Sequence, residues 1–274
     1  MRQDRQELLD FAVATARAAG EVLMDRFEGL LHVRSKSTAG DLVTDADRAA
    51  EDVVLSRIRG AYPGHAILAE ESGALGPAAP LRWVVDPLDG TTNYAHRLPH
   101  FSVSIALVDE HGPLVGVVHD PNRDETFFAA RDGGAFLDSP RARARGGPAR
   151  LQVSGTDTLG AALVATGFPY LRDAGRGDNL PEVNRLVPRI RCMRRTGSAA
   201  LDLSYVAAGR LDGYWEARLS PWDIAAGALL VREAGGTVVR MDGSPWDIAH
   251  GDLVAGGPPL ADLLVEELTA ARRG

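Results

Sequence analysis

Residues 83–93, Trp83-Val84-Val85-Asp86-Pro87-Leu88-Asp89-Gly90-Thr91-Thr92-Asn93, constrain this chain more than any other stretch. The apolar run Trp83-Val84-Val85 reads as a buried strand. Pro87 predicts where it stops, because proline has no N–H for a ladder and restricts the residue before it. Two carboxylates, Asp86 and Asp89, thus arrive together in one tight turn. Gly90-Thr91-Thr92 reads as the entry to a helix, where free backbone N–H groups collect anions. Carboxylates for hard cations, beside N–H groups for a phosphate, point to metal-assisted phosphate chemistry.

The chain ahead of the turn supplies further candidates. Residues 6–28 carry Leu8, Leu9, Val13, Ala16, Ala19, Val22, Leu23 and Phe27 at helical spacing, and Gly29 ends the run. A short strand is expected at 30–33 and a loop at 36–40. Asp41-Leu42-Val43-Thr44-Asp45-Ala46-Asp47 opens a second helix reaching about 59, with Thr44 or Asp45 as N-cap. Acids in a first turn suit the helix dipole, and capping alone accounts for Asp41 and Asp45. Residues 66–69 form a strand that runs into Glu70-Glu71-Ser72-Gly73, and 73–81 read as a loop. Two glutamates where a buried strand ends are harder to dismiss as surface charge than two on a helix face.

After the turn, strands at 101–108, 114–119 and 125–130 predict an antiparallel meander. The basic segment Arg141-Ala142-Arg143-Ala144-Arg145 reads as a solvated hairpin tip. A composition change comes next. It divides the chain into an N-terminal α+β domain, 1–146, with the antiparallel sheet and most candidate ligands, and a C-terminal α/β domain, 147–274. Strands are expected there at 161–166, 190–194, 213–217, 238–239 and 253–255, with helices at 180–187, 198–208, 220–234 and 260–271. The hexapeptide Ser220-Pro221-Trp222-Asp223-Ile224-Ala225 recurs as Ser244-Pro245-Trp246-Asp247-Ile248-Ala249. Asp223 heads a long helix whose Ala225, Ala226 and Gly227 allow close backbone approach, whereas Asp247 lies in a Gly/Pro-rich loop. Asp223 is the functional candidate and Asp247 a surface residue.

Bulk properties exclude several classes. A net charge of −7 argues against a nucleic-acid partner held by electrostatics. The single Cys192 excludes an internal disulfide and a cysteine zinc cluster, and reads as a small core or near-surface residue. With no charged-then-apolar leader and no apolar run of bilayer length, no membrane is expected and the cytoplasm is the default. There is no Gly-rich loop with Lys-Ser/Thr and no Gly-x-Ser-x-Gly elbow, which disfavours P-loop hydrolases and serine hydrolases.

Glu70, Glu71, Asp86, Asp89 and Asp223, with the Leu88 carbonyl, are all oxygen donors. Oxygen-only ligation selects magnesium or manganese over zinc. So many converging acids repel one another and call for divalent cations. Two ions about 4 Å apart suit an in-line phosphoryl displacement. Backbone N–H groups of Gly90, Thr91 and Thr92 would hold the phosphate.

Taken in order, Glu70-Glu71, the Asp86 to Asn93 run, and Pro221-Trp222-Asp223-Ile224-Ala225-Ala226-Gly227 resemble the inositol monophosphatase family of lithium-sensitive, magnesium-dependent phosphatases. The resemblance extends through Asp41-Leu42-Val43-Thr44 and Gly197-Ser198-Ala199-Ala200 to Glu233-Ala234-Gly235-Gly236. It implies a layered α-β-α-β-α sandwich, shared with fructose-1,6-bisphosphatase, and a homodimer. It also implies that Glu70, Asp86 and the Leu88 carbonyl hold one Mg2+, that Asp86, Asp89 and Asp223 hold a second, and that a third, weaker ion sits near Glu70. Thr91, coupled to Asp47, would orient the attacking water, Gly90 and Thr91 would touch phosphate, and Glu71 would support the set.

The substrate implied is a small phosphomonoester. Glu216 stands where the family's glutamate hydrogen-bonds inositol hydroxyls, seven residues before Asp223, which favours inositol 1-phosphate. Histidinol phosphate or a broad set of sugar phosphates is the alternative on the same scaffold. A regulatory protein that kept the fold without turnover would have no need of the full acid set. His96, Arg97 and His100 are expected in structural roles.

Overall fold

Leu8, Leu9, Ala12, Ala16, Ala19, Leu23 and Phe27 form the buried stripe of α1 (Arg5–Phe27) in the computed structural model. The structure describes residues 5–27, 29, 33–35, 42–169 and 178–273. The short strands β1 (Val33–Ser35) and β2 (Leu42–Thr44) pair antiparallel, and α2 (Asp45–Ala61) comes after them. The next elements are β3 (Ala66–Ala69), β4 (Gly73–Leu75), β5 (Arg82–Asp89), α3 (Thr91–Ala95), β6 (Ser102–Asp109), β7 (Gly112–Asp120), β8 (Glu125–Ala130), β9 (Gly134–Asp138), α4 (Pro140–Arg143) and β10 (Ala149–Arg150). Their strands make an eight-stranded sheet in the order β10-β9-β8-β7-β6-β5-β3-β4, antiparallel except where β3 runs parallel to β5.

The rest of the chain runs β11 (Leu163–Thr166), α5 (Leu180–Leu186), β12 (Cys192–Arg194), α6 (Ala199–Ala207), β13 (Gly213–Glu216), α7 (Pro221–Glu233), β14 (Thr237–Val239), β15 (Leu253–Gly256) and α8 (Pro258–Arg273). A five-stranded mixed sheet results, ordered β12-β11-β13-β15-β14. Helices α1 and α2 cover one face of the large sheet, and α6 and α7 fill the space between the sheets. Helices α5 and α8 close the far face of the small one. This is the α-β-α-β-α layering. Because both faces of the large sheet are covered, β6 and β7 are buried almost without alternation, unlike an antiparallel sheet with one wet face. Among the described residues no helix is long and apolar enough to cross a membrane.

Several elements depart from the sequence expectation. The first strand lies at Val33–Ser35 rather than 30–33; residues 30–32, and the expected loop at 36–40, lie outside the described residues, as does Asp41. Leu42 and Val43 do not begin the second helix, because they pair with β1; the helix starts at Asp45. The expected loop at 73–81 contains β4, which pairs back on β3. The expected strand at 161–166 begins only at Leu163, after a 3₁₀ turn at Leu159–Ala161. The basic segment is a capped turn of helix, not a hairpin tip: Ser139 Oγ accepts from the Ala142 N–H, and Arg143 pairs with Asp138 and Asp124. Cys192 is exposed.

Strand β5 is the most instructive departure. It does not stop at Pro87. Asp86 pairs with Ser104 and Asp89 with Ser102, so β5 uses one more residue than its partner across that interval. A bulge of this kind absorbs the missing proline N–H and lets the strand continue.

Candidate active site

The acids converge because of strand register. β3 and β5 run parallel with Ala69 opposite Val85, and the Glu70 N–H donates to the Val85 carbonyl at 3.1 Å. Glu70, just past the end of β3, is therefore the lateral neighbour of Asp86 within β5. Ser104, opposite Asp86 on β6, donates its hydroxyl to the Trp222 carbonyl at 3.0 Å and ties down the first turn of α7. That tether brings Asp223 alongside. The Ser220 N–H donates to Asp223 Oδ2 at 2.7 Å. Helix α7 reaches this position because it lies directly on the sheet and on α6: a Cβ on Gly116 of β7 would stand 3.0 Å from the Ala226 Cα, and one on Gly227 only 2.6 Å from the Cβ of Leu203 in α6.

The bulge turns Asp86 and Asp89 to different partners. Asp86, 2% exposed, accepts from the Leu88 N–H at 2.9 Å. Asp89 Oδ2 accepts from Ser198 Oγ at 2.7 Å and the Ala200 N–H at 2.8 Å, at the N-terminus of α6. Gly90 takes φ +102°, and a Cβ there would meet the His100 carbonyl at 3.1 Å, so this corner needs glycine. Thr91 begins α3. Its Oγ1 lies 3.1 Å from both Asp47 Oδ1 and the Leu88 carbonyl, and its one proton donates to either.

Asp47 serves two partners. The N-cap of α2 is Thr44, and Asp47 completes the capping box by accepting from the Thr44 N–H at 2.8 Å through Oδ2. Its other oxygen faces Thr91. Capping therefore occupies only half of this carboxylate, and Asp45 takes no part in the box.

These acids resist ionisation. Loss of water on burial pushes Asp86 and Asp223 well above the usual carboxylate range, with Glu70, Asp89 and Asp223 repelling Asp86, and Asp89 and Glu70 repelling Asp223. Burial also raises Asp89 to about 6, against the opposing hydrogen bonds from Ser198 and Ala200. Asp47 rises to about 6 for the same first reason, offset by Thr44 and reinforced by Glu71 and Glu70. Among the described residues no three His, Cys, Asp or Glu side chains form a ready-made cage for one ion. The donor chemistry nonetheless fits hard divalent cations: every donor is oxygen, and mutual repulsion is what a cation would relieve.

A pocket opens beside Asp89 and Asp223, and Glu216, Gly167, Asp202 and Arg195 share its wall. Burial raises Glu216 to about 7, against a hydrogen bond from the Tyr214 hydroxyl and the charge of Arg195. Asp247 is elsewhere, exposed, accepting from the Ala249 N–H at 2.8 Å. His96 closes the end of α3, and the His100 carbonyl accepts from Asn93 Nδ2 at 2.8 Å.

A profile of the inositol monophosphatase family matches residues 4–273. The chain belongs to that family. It is accordingly a phosphomonoester hydrolase. An inositol-1-monophosphatase from Mesorhizobium japonicum is 42% identical over 96% of each chain. The Nus factor SuhB of Escherichia coli is 44% identical over 95% of each. The solved inositol monophosphatase of Anabaena (Nostoc) is 43% identical, covers 97% of this chain and 96% of its own, and superposes with a TM-score of 0.85.

Several residues of this family member's site escape sequence reasoning. Ser198 and Ala200 fall in a run that resembles the family, but nothing in the sequence gives them the role they take here, holding Asp89. Glu51 looks like one more surface acid of α2, yet it is 3% exposed and accepts from the Glu71 N–H at 3.0 Å and from the Ser72 hydroxyl, fixing the turn that carries Glu70. Asp202 is 2% exposed and accepts from Thr196 Oγ1 at 2.8 Å. Gly167 carries no local signal at all.

Proposed function

We propose that this phosphatase hydrolyses inositol 1-phosphate to inositol and phosphate by in-line attack of water, with Mg2+ as cofactor. Glu70, Asp86, Asp89, Asp223 and the Leu88 carbonyl would hold two or three ions, with Mn2+ a possible substitute, and these supply the positive charge that polarises the phosphate and acidifies the water. The N–H groups of Gly90, Thr91 and Thr92 bind phosphate oxygens, since a first helical turn leaves them without intrahelical acceptors. Thr91 Oγ1, held by Asp47 Oδ1, accepts a hydrogen bond from the water and aims it, with Glu70 on the other side taking its proton. Glu71 supports the turn that carries Glu70.

One observation carries the reading: the Thr91–Asp47 hydrogen bond stands at the corner that also bears Asp86 and Asp89, while Glu216 shares a pocket wall with Asp89 and Asp223. The first supplies an aimed nucleophile, the second a hydrogen-bonding wall for a polyol. A panel of inositol 1-phosphate, histidinol phosphate and an aryl phosphate tests it, with and without Mg2+. Inositol 1-phosphate is expected to give the highest kcat/KM, and Asp89→Asn to abolish Mg2+-dependent phosphate release. Preference for histidinol phosphate would replace the substrate assignment, and no release from any ester would make the chain a non-catalytic relative.

A further inference from the structure

The wall that bears Glu216 contains a device for aiming it. Strand β13 alternates, so Tyr214 and Glu216 face one side and Trp215 the other. Trp215 packs toward α5 and α8, with its indole N–H donating to Asn179 Oδ1 at 2.7 Å. Tyr214 is completely buried against the layer of α6 and α7, and its hydroxyl donates to Glu216 Oε2. A core position this dry would be filled equally well by phenylalanine, so the hydroxyl requires a reason.

The neighbouring strand supplies the other half. Thr166 of β11 stands opposite Trp215, which sets Gly167 beside Glu216. A Cβ on Gly167 would lie 2.1 Å from Glu216 Oε2 and 2.2 Å from Oε1, so the carboxylate occupies the space a side chain would take. Gly167 is itself anchored, since its carbonyl accepts from Asn179 Nδ2 at 2.6 Å. Its φ is not in the left-handed region, so backbone conformation does not call for glycine there. The free volume does.

We propose that Tyr214 is a positioning residue for substrate selection: its hydroxyl pins the Glu216 carboxylate against Gly167, so that the carboxylate meets the hydroxyls of a polyol phosphate in a single orientation. The proposal rests on the reading of Glu216 as the polyol contact. Tyr214 touches neither phosphate nor water. It acts through Glu216 by removing rotamer freedom that binding would otherwise have to remove. Burial and the neighbouring acids also push the Tyr214 hydroxyl up, which keeps it a donor at every working pH.

Steady-state kinetics of Tyr214→Phe with inositol 1-phosphate and para-nitrophenyl phosphate, each with Mg2+, test this. A hydrogen bond to a charged group is worth enough to predict a rise in KM for inositol 1-phosphate of about tenfold, with kcat and both constants for the aryl ester within about twofold. Gly167→Ala is expected to give the same split, by displacing the carboxylate with a methyl group. Equal losses on both substrates, or none on either, would overturn the proposal, because loosened packing does not distinguish the esters. Glu216→Ala separates it from the reading beneath. If that variant leaves the KM for inositol 1-phosphate unchanged, the polyol contact itself is wrong. If it raises KM while Tyr214→Phe does not, only the positioning role fails.

Discussion

One hexapeptide occurs twice in this chain and meets two fates. In Ser220 to Ala225 the aspartate is the third residue of α7, half-buried on a pocket wall with Asp89 and Glu216, and held well above the usual carboxylate range by burial and then by the charges of Asp89, Glu70 and Glu216. In Ser244 to Ala249 the aspartate is exposed and is held below that range by the Ala249 N–H and then by His250. The two hexapeptides are identical, but the residues after them are not. Ala225 leads into Ala226, Gly227, Ala228, Leu229 and Leu230, which seat a helix on Gly116 and Leu203, whereas Ala249 leads into His250, Gly251 and Asp252. The second tryptophan instead lies under the Arg232 guanidinium, 5.2 Å from the ring centre, and its indole N–H donates to the His250 carbonyl at 3.0 Å. Local sequence allows both outcomes, and packing beyond the repeat chooses between them.

Three experiments press on that contrast. The largest effect is expected from exchanging the charges: Asp223→Asn should lower kcat/KM by a factor on the order of 10³, the scale of losing a charge-stabilising group at the reacting centre, while Asp247→Asn stays within about twofold. Comparable losses in both would erase the distinction. Next, Ala226→His places in the first copy the residue that comes after Ala249 in the second. A ring inserted where α7 lies on Gly116 should cost about 3 kcal/mol by overpacking, measured by urea denaturation. An unchanged midpoint would mean that α7 is not held by this close approach.

The third effect is smaller and depends on pH. Asp89 titrates near 6 in the folded chain, and Asp86 and Asp223 are also raised, whereas an unfolded aspartate titrates near about 3.9. Raised values mean that the folded chain holds protons the unfolded chain has released. The stability these groups contribute is therefore full below about pH 3.9 and is lost as pH rises through about 6 and beyond. Divalent cations should reverse that loss, by up to about 2.7 kcal/mol at a hundred times Kd. The rise in Tm on adding Mg2+ to chelator-treated protein should thus be larger at pH 8 than at pH 5. Equal shifts would detach cation binding from these carboxylates, while Asp247, already ionised at both values, contributes nothing.

Much of the fold is legible in the sequence because its signals are local. The helical spacing from Leu8 to Phe27, the strand at Ala66–Ala69 and the meander from β6 to β8 need only period and turn chemistry. The errors fall where partners override them. Leu42 and Val43 join a strand because β1 lies beside them, and β5 passes through Pro87 because a bulge opposite β6 accommodates it.

Residue type alone carries the chemistry: the oxygen donors of Glu70, Asp86, Asp89 and Asp223, beside glycine and threonine N–H groups, need no neighbours to be recognised. Which groups serve those donors is a matter of the folded layers. Asp47 turns one oxygen to its helix cap and the other to Thr91, α6 brings two donors to Asp89, and Gly167 leaves room for Glu216 under the Tyr214 hydroxyl. The reason is range. A carboxylate announces its charge wherever it stands in the chain, but a hydrogen bond reaches about 3 Å, and only the packed sheets and helices bring Thr91 to Asp47 and Ser198 to Asp89 within that distance and set Gly167 against Glu216.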